Sequence, residues 1–219
     1  MSVDQFIVRR IEDLTLYQNK AYAGRYQALV DTVQIAEASK SPGLSGLTEA
    51  VAQYAYKLMA YKDEYEVARL HSDPEFKRKL AEQFEGDFKL EFNLSPPAIA
   101  PKDKVTGLPK KMTFGAWMMP AFGLLAKFKF LRGTAFDFFG RSEERKMERQ
   151  LIVDYENTIG ELLESLNNDN HALAIQIASV PEQIRGYGYV KEEHVEKAKA
   201  CEADLLAAWR GEPSQVKAA

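Results

Sequence analysis

The chain has 219 residues, of which 46% are hydrophobic and 11% aromatic, so it is long enough to bury a core without covalent cross-links. Its net charge of -3 and its pI near 5.8 give no general reason to expect nucleic-acid binding. The single cysteine, Cys201, excludes an internal disulfide framework and a cysteine-ligated zinc or iron–sulfur site. No apolar stretch of the sequence approaches the ~20 residues that cross a bilayer. We therefore expect a cytoplasmic protein with neither a nucleic-acid nor a membrane partner.

The N-terminal part of the sequence has helical periodicity. From Val3 to Ala38 apolar residues recur three or four positions apart without a proline, which predicts one long helix that ends before the turn at residues 39–46. A second helix is predicted to begin near Thr48 and to continue to Asp73. Pro74 suits the first position of a third, shorter helix.

The periodicity changes near residue 87. Phe88, Leu90 and Phe92 alternate with polar residues, which is the pattern of a half-buried strand. Residues 95–111 are rich in Pro, Lys and Gly and predict a loop, and residues 111–117 are expected to form the returning strand. We therefore predict a small β-hairpin insertion near residues 87–117.

Helical periodicity then resumes and continues almost to the end of the sequence. Helices are predicted over residues 118–131, 142–166, 170–180 and 191–209. The fold class predicted from these elements is mainly α, with a single helical domain over residues 1–210 and a polar tail at 211–219.

Charge is distributed unevenly along the chain. Residues 101–149 contain 11 basic and 5 acidic side chains, whereas residues 150–219 contain 6 basic and 12 acidic ones. The basic segment either pairs with the acidic C-terminal third inside the fold or forms a docking surface for an acidic partner protein. The candidate docking residues are Lys127, Lys129, Arg132, Arg141, Arg145 and Arg149.

Motifs for known catalytic chemistries are not found. None of the three histidines follows a glutamate at the Glu-x-x-His spacing of a di-iron site, and the phosphate-binding G-x-x-x-x-G-K-[ST] does not occur. Gly186 and Gly188 lack the third glycine of a dinucleotide-binding loop and are interpreted as a turn between helices. Cys201 lies in a charged helix and is interpreted as a packing residue. We therefore predict no catalytic, cofactor-binding or metal-binding residue.

The densest polar cluster lies within residues 57–71. On a helix, Asp63, Glu66 and Arg69 are three positions apart and share a face. Asp63 and Glu66 could act as paired carboxylates for acid–base chemistry. The simpler interpretation is a salt-bridged face of a helix, and both interpretations are left open. In the simpler one, these residues point toward the core: Leu58, Tyr61, Tyr65 and Ala68.

Five separated segments carry a resemblance to a known family: YQNKAYAGRY (17–26), KLMAYKDEYEVARL (57–70), FEGDFKLEFNLSPP (84–97), LRGTAFDFFGRSEERKMER (131–149) and PEQIRGYGYVKEEHV (181–195). They resemble the C-terminal region of the indolepyruvate ferredoxin oxidoreductase family, which are large fused 2-oxoacid:ferredoxin oxidoreductases. The resemblance extends from about residue 8 to residue 210, with the segments in the same order.

This resemblance implies a place in a larger enzyme. The family converts a 2-oxo acid and coenzyme A to an acyl-CoA and carbon dioxide, with thiamine diphosphate for the decarboxylation and iron–sulfur clusters that pass electrons to ferredoxin. The cofactor-binding parts of the family lie elsewhere in its polypeptide, and none of the five segments is a cofactor motif. The resemblance therefore implies a non-catalytic C-terminal domain that acts in assembly or interdomain packing. Its partners would be the remaining domains or subunits of the enzyme, and homo-oligomerisation is left open.

The aromatic-rich stretch 114–139 is the expected source of an interdomain face, although most of its rings are expected in the core. Two other functions are left open. One is an independent helical protein-binding module or adaptor, and the other is a small enzyme that uses Asp63 and Glu66.

Overall fold

A computed structural model describes residues 2–84, 86, 89–94, 101 and 110–212 of the chain. The α-helices within these residues are α1 (Val3–Tyr17), α2 (Lys20–Lys40), α3 (Leu47–Met59), α4 (Glu64–Ser72), α5 (Pro74–Gln83), α6 (Met118–Lys127), α7 (Glu143–Ser165), α8 (His171–Ser179) and α9 (Tyr189–Trp209). The strands are β1 (Phe92–Leu94) and β2 (Met112–Phe114), and short 3-10 helices span Phe128–Leu131, Phe139–Arg141 and Val180–Gln183. The predicted fold class, mainly α with a small hairpin, is confirmed.

The chain forms two compact units. The larger unit comprises Met1–Tyr61 and Asp137–Ala219, and the smaller unit comprises Lys62–Phe136. The single helical domain predicted over residues 1–210 stays a prediction. Most of the polar tail predicted at 211–219 lies outside the described residues.

The larger unit is built around α3. Apolar residues surround this helix on nearly all sides, as expected for a helix that is buried in a core, and it packs against α1, α2, α7 and α8. Buried tyrosines add directional contacts, because their hydroxyls donate hydrogen bonds to backbone carbonyls. Tyr26 donates to Ala52 over 3.0 Å, and Tyr155 donates to Ala178 over 2.9 Å.

Two of the predicted helices are each divided in two, so the predictions of unbroken helices over 3–38 and from Thr48 to Asp73 are wrong. Asn19 separates α1 from α2, and its side chain accepts the N–H of Tyr22 at 2.9 Å. Asp63 begins α4 in the same way and accepts the N–H of Glu66 at 2.8 Å. Short polar side chains compete with the helical backbone for its hydrogen bonds, so they end one helix and start the next.

The predicted helices of the C-terminal part agree with α7, α8 and α9 to within two residues at each end. The helix predicted over 118–131 is α6 followed by a 3-10 turn, Phe128–Leu131. The segments of α7, α8 and α9 contain no internal proline, and the first of them begins after the capping residue Ser142.

The smaller unit has a small core of its own. Ala68 of α4, Phe92 of β1 and Phe122 of α6 are buried and form its apolar cluster. The hairpin pairs β1 and β2 antiparallel, with Phe92 opposite Phe114. Two strands are marginal alone, and here they are stabilised by packing of Phe92 and Phe114 into this core. Most of the loop predicted at 95–111 lies outside the described residues.

Candidate functional site

Asp63, the first residue of the predicted polar cluster, is bound by Arg132 inside the smaller unit. Arg132 donates from Nε to Oδ2 at 2.5 Å and from Nη2 to Oδ1 at 2.8 Å, and both side chains are under 5% exposed. Asp63 also caps α4 through the N–H of Glu66. The structure therefore brings together two residues that the sequence analysis assigned to different features.

Glu66 and Arg69, the other two residues of the polar cluster, form their own pair. Arg69 donates from Nε and Nη2 to the two carboxylate oxygens of Glu66, at 2.8 Å each. Asp63 and Glu66 therefore each use both oxygens to bind a guanidinium group. This arrangement favours the salt-bridged interpretation of the cluster over acid–base chemistry, because a general base needs an oxygen that can reach a substrate proton.

The six candidate docking residues are divided equally between the two units. Lys127, Lys129 and Arg132 belong to the smaller unit, and Arg141, Arg145 and Arg149 belong to the larger one. Arg132 and Arg145 are buried, Lys129 and Arg149 are half-buried, and Lys127 and Arg141 are exposed. Only the exposed members present their charges to a partner in the way a docking surface requires.

Arg145 belongs to a buried cluster of charges in the larger unit. Glu148 accepts hydrogen bonds from both Arg145 and Lys191, and Glu144 accepts the N–H of Gly188 at 3.1 Å. These contacts fix the turn before α9, where Gly188 has a φ of 55°. The structure thus places Gly186 and Gly188 in a turn that leads into a helix, as the sequence indicated.

A second buried network, around Glu37, was missed by the sequence analysis. Glu37 of α2 accepts the backbone N–H groups of Leu47 and Thr48 at 2.8 and 2.9 Å, and its Oε1 lies 2.8 Å from Nε2 of His171. Burial by itself would raise the pKa of Glu37, but the hydrogen bonds from Thr48, His171 and Leu47 outweigh it and hold the pKa below its usual value. A carboxylate in this position neutralises the positive end of α3 and ties α2, α3 and α8 together. Nothing in the local sequence distinguishes Glu37 from the exposed glutamates of other helices.

The burial of the aromatic side chains in the stretch 114–139 differs most from expectation. Most of its rings were expected in the core, but Phe122 alone of the eight is buried, so this expectation is wrong. Five are exposed: Trp117, Phe128, Phe130, Phe136 and Phe138. Among the described residues, the core of the smaller unit packs against one face of α6, and the apolar side chains on the other face stay outside it.

Helix α6 is apolar on two opposite faces. Its inner face packs on the core through Phe122, with Met118, Met119, Leu125 and Ala126 beside it. The other face, which we call the α6 outer face, consists of exposed residues spaced three or four apart: Trp117, Pro120, Ala121, Leu124, Lys127 and Phe128. Phe130 extends it, because its ring centroid lies 6.1 Å from that of Phe128.

The exposure of the α6 outer face is large for such apolar residues. Trp117 is 64% exposed, Leu124 is 60% exposed and Phe130 is 64% exposed. Scattered apolar residues are normal on a protein surface, but contiguous ones of this size mark sites of interaction. The α6 outer face is therefore the candidate functional site, and what it can do chemically is bind another apolar surface.

In the described part of the chain, no group of three or more His, Cys, Asp or Glu residues is placed to hold a metal ion. None of the helices described has the length and apolar character needed to cross a membrane.

Comparison with known proteins gives a family match. A family model described as a family of unknown function, DUF6537, matches residues 3–204. No curated protein and no solved structure is significantly similar to the chain.

Proposed function

The chain belongs to the family of unknown function DUF6537, and we propose that it acts as a non-catalytic packing domain of an indolepyruvate or other 2-oxoacid:ferredoxin oxidoreductase. In this role it holds the catalytic parts of a multidomain enzyme in their correct relative positions. The proposal combines the five-segment resemblance with one structural observation, the α6 outer face.

The α6 outer face supports an assembly role because it is costly to leave in water. Burial of apolar surface contributes about 25 cal/mol per Å², and aromatic side chains contribute the largest areas. Trp117 and Phe130 are each 64% exposed, so another surface that covers them would gain much of this free energy. Contiguous exposed apolar side chains of this size mark sites of interaction.

The charged residues support the same role, because the buried ones are bound within the chain. Asp63 pairs with Arg132, Glu148 with Lys191, and Glu37 lies against His171. Removal of one partner of such a buried pair would leave the other charge uncompensated, so the fold depends on both partners. The polar clusters therefore act as structural elements.

The cofactors of the parent reaction belong to other parts of the polypeptide in this proposal. Thiamine diphosphate would carry the decarboxylation and iron–sulfur clusters would carry the electrons there. Cys201 is the single cysteine of this chain, and a cluster needs several cysteine ligands. The function proposed for this chain is thus to hold other domains in position, while those domains carry out the chemistry.

An immunoblot of native cell lysate with an antibody against this chain tests the proposal. We expect a band far above 24.8 kDa, the mass of this chain, because the domain would be fused to the catalytic parts. Peptide mass spectrometry of that band should also detect a thiamine-binding domain and cysteine-rich cluster motifs in the same polypeptide. A band at 24.8 kDa with no oxidoreductase among the co-purifying proteins would contradict the proposal.

The second candidate function is an independent helical protein-binding adaptor. The same α6 outer face favours it, since an adaptor also needs an exposed apolar surface. The two candidates differ in the length of the native polypeptide, so the immunoblot distinguishes them.

A further inference from the structure

We infer that the smaller unit is an inserted module that unfolds and refolds as a whole while the larger unit stays folded. The ion pair between Asp63 and Arg132 is the clamp that holds this module closed. The opening acts directly on the candidate site, because the α6 outer face belongs to this module and loses its support when α6 leaves the core. The inference concerns the fold of the chain and does not depend on the proposed function.

The smaller unit is a single insertion in the sequence of the larger one. It comprises Lys62–Phe136, whereas the larger unit takes its residues from both sides of this segment, Met1–Tyr61 and Asp137–Ala219. The chain therefore enters the smaller unit once and leaves it once. Contiguous segments of this kind are the units in which proteins open without unfolding completely.

The ion pair joins the two ends of this inserted segment. Asp63 is the second residue of the smaller unit, and Arg132 lies four positions before its last residue, Phe136. Arg132 donates from Nε and Nη2 to the two carboxylate oxygens of Asp63, so the pair holds the entry and the exit of the segment side by side. Loss of this contact would release the start of α4 and the residues that follow α6 at the same time.

Burial makes the closed state depend on both partners of the clamp. The two side chains are 3% and 4% exposed, and the guanidinium carbon of Arg132 lies 5.7 Å from the ring centroid of Tyr65. Removal of one partner leaves the other charge buried without its counter-ion, which strongly destabilises the closed state. In the open state the remaining charge is hydrated, so the cost falls on the closed state alone.

The core that the clamp supports is small. Among the described residues of the smaller unit, its apolar cluster is formed by Ala68, Phe92 and Phe122. The core of the larger unit takes buried apolar side chains from α1, α2, α3, α7, α8 and α9. Because apolar burial is the dominant favourable contribution to folding, the smaller unit should open at a lower free energy than the larger unit.

Native-state hydrogen exchange of the purified chain, followed amide by amide at increasing low concentrations of urea, tests the inference. We expect the amides of α4 and α6 to share one opening reaction. After correction for intrinsic exchange rates, they should exchange at least about tenfold faster than the most protected amides of α3 and α7. One common opening for the amides of both units would overturn the inference, because the chain would then unfold only as a whole.

The clamp is tested by Arg132→Met, which keeps an unbranched side chain and removes its charge. We expect exchange of the α4 and α6 amides to become about 100-fold faster, with less than about a twofold change in α3 and α7. The matched control is Arg78→Met, which removes an exposed arginine of α5 that pairs with Glu75 and Glu82, and should change exchange less than about fivefold. Equal effects of the two substitutions, or an equally large change in α3 and α7, would overturn the clamp.

A double variant, Asp63→Asn with Arg132→Met, separates a clamp from two independent contributions. It leaves neither charge of the pair buried without a counter-ion. The amides of α4 and α6 should therefore exchange at least about tenfold more slowly than the product of the two single effects predicts. Additive effects would overturn the clamp. If a single variant does not fold, the urea dependence of the unchanged chain still decides whether the smaller unit opens by itself.

Discussion

Arg132 and Asp63 form a buried ion pair across 69 positions of the sequence, with Nε 2.5 Å from Oδ2 and Nη2 2.8 Å from Oδ1. Because Asp63 also caps α4, one carboxylate fixes the start of that helix and the end of the segment that follows α6. The pair lies within the smaller unit and so controls the stability of the part that carries the α6 outer face.

We predict that Asp63→Asn destabilises the smaller unit by about 3 kcal/mol, because it leaves the charge of Arg132 buried without its counter-ion. Asparagine still accepts the N–H of Glu66, so the loss reports the ion pair and not the helix cap. Hydrogen exchange of the α4 and α6 amides measures the effect. The control is Glu75→Gln, which breaks an exposed pair with Arg78 and should cost less than about 1 kcal/mol. Equal protection in the two variants would refute the prediction.

Glu37→Gln should destabilise the larger unit by about 1–3 kcal/mol, because Glu37 accepts two backbone N–H groups that start α3 and lies against His171. The pKa of Glu37 is lowered on folding, so its contribution is complete above the usual value of 4.5 and is lost as the pH falls through the lower pKa of the folded state. Urea unfolding at several pH values measures both effects. The variant should show a weaker loss of stability in acid than the parent, whereas the exposed control Glu143→Gln should match the parent.

His71 should make the smaller unit sensitive to pH near neutrality. Its ring lies among Phe76, Phe92 and Phe122 at centroid distances of 5.2–5.3 Å, and burial lowers its pKa from the usual 6.5. The folded state therefore favours the neutral ring, so its full stability is present above pH 6.5 and falls as the pH decreases below that value.

His71→Phe should remove this dependence, because phenylalanine has no proton to gain. Hydrogen exchange of the smaller unit at pH values on either side of 6.5 measures it, after correction for the intrinsic exchange rate. His194→Phe, in the larger unit, should leave the dependence in place. The prediction fails if the stability of the His71 variant depends on pH as steeply as the stability of the parent protein does.

Gly140→Ala should be strongly destabilising, with a cost of about 2 kcal/mol or more. A Cβ at Gly140 would lie 2.1 Å from Oδ2 of Asp137, and the glycine also donates its N–H to Asp137 at 2.9 Å and accepts from Arg149 at 2.6 Å. Gly24→Ala is the contrast, since a Cβ there meets nothing within 4 Å inside α2, and it should stabilise by about 0.5–1 kcal/mol. Thermal unfolding of both variants measures the direction of each change in stability. A shift of the melting temperature in the same direction for both variants would contradict the prediction.

The sequence predicted the helical segments of the C-terminal part of the chain. It identified α7, α8 and α9 closely, the hairpin, and Pro74 as the first residue of α5. It did not identify the breaks at Asn19 and Asp63, although both are good capping residues. Periodicity averages over a window, and one capped break does not disturb the average.

Burial of charge could be decided only by the tertiary structure. In the sequence, Arg132 looks like the other members of a basic stretch and Glu37 looks like any exposed helical glutamate. Their partners are Asp63 and His171, which lie 69 and 134 positions away. A charge can be buried only where its counterpart is brought to it, and local sequence does not contain that information.

The sequence by itself determined that residues 118–131, which contain α6, are helical and largely apolar, because periodicity and composition show both. Only the tertiary structure decided which of its faces would be left without a partner. The physical reason is that the core of the smaller unit has room for Phe122 and the side chains beside it, so the opposite face, with Trp117 and Leu124, remains outside.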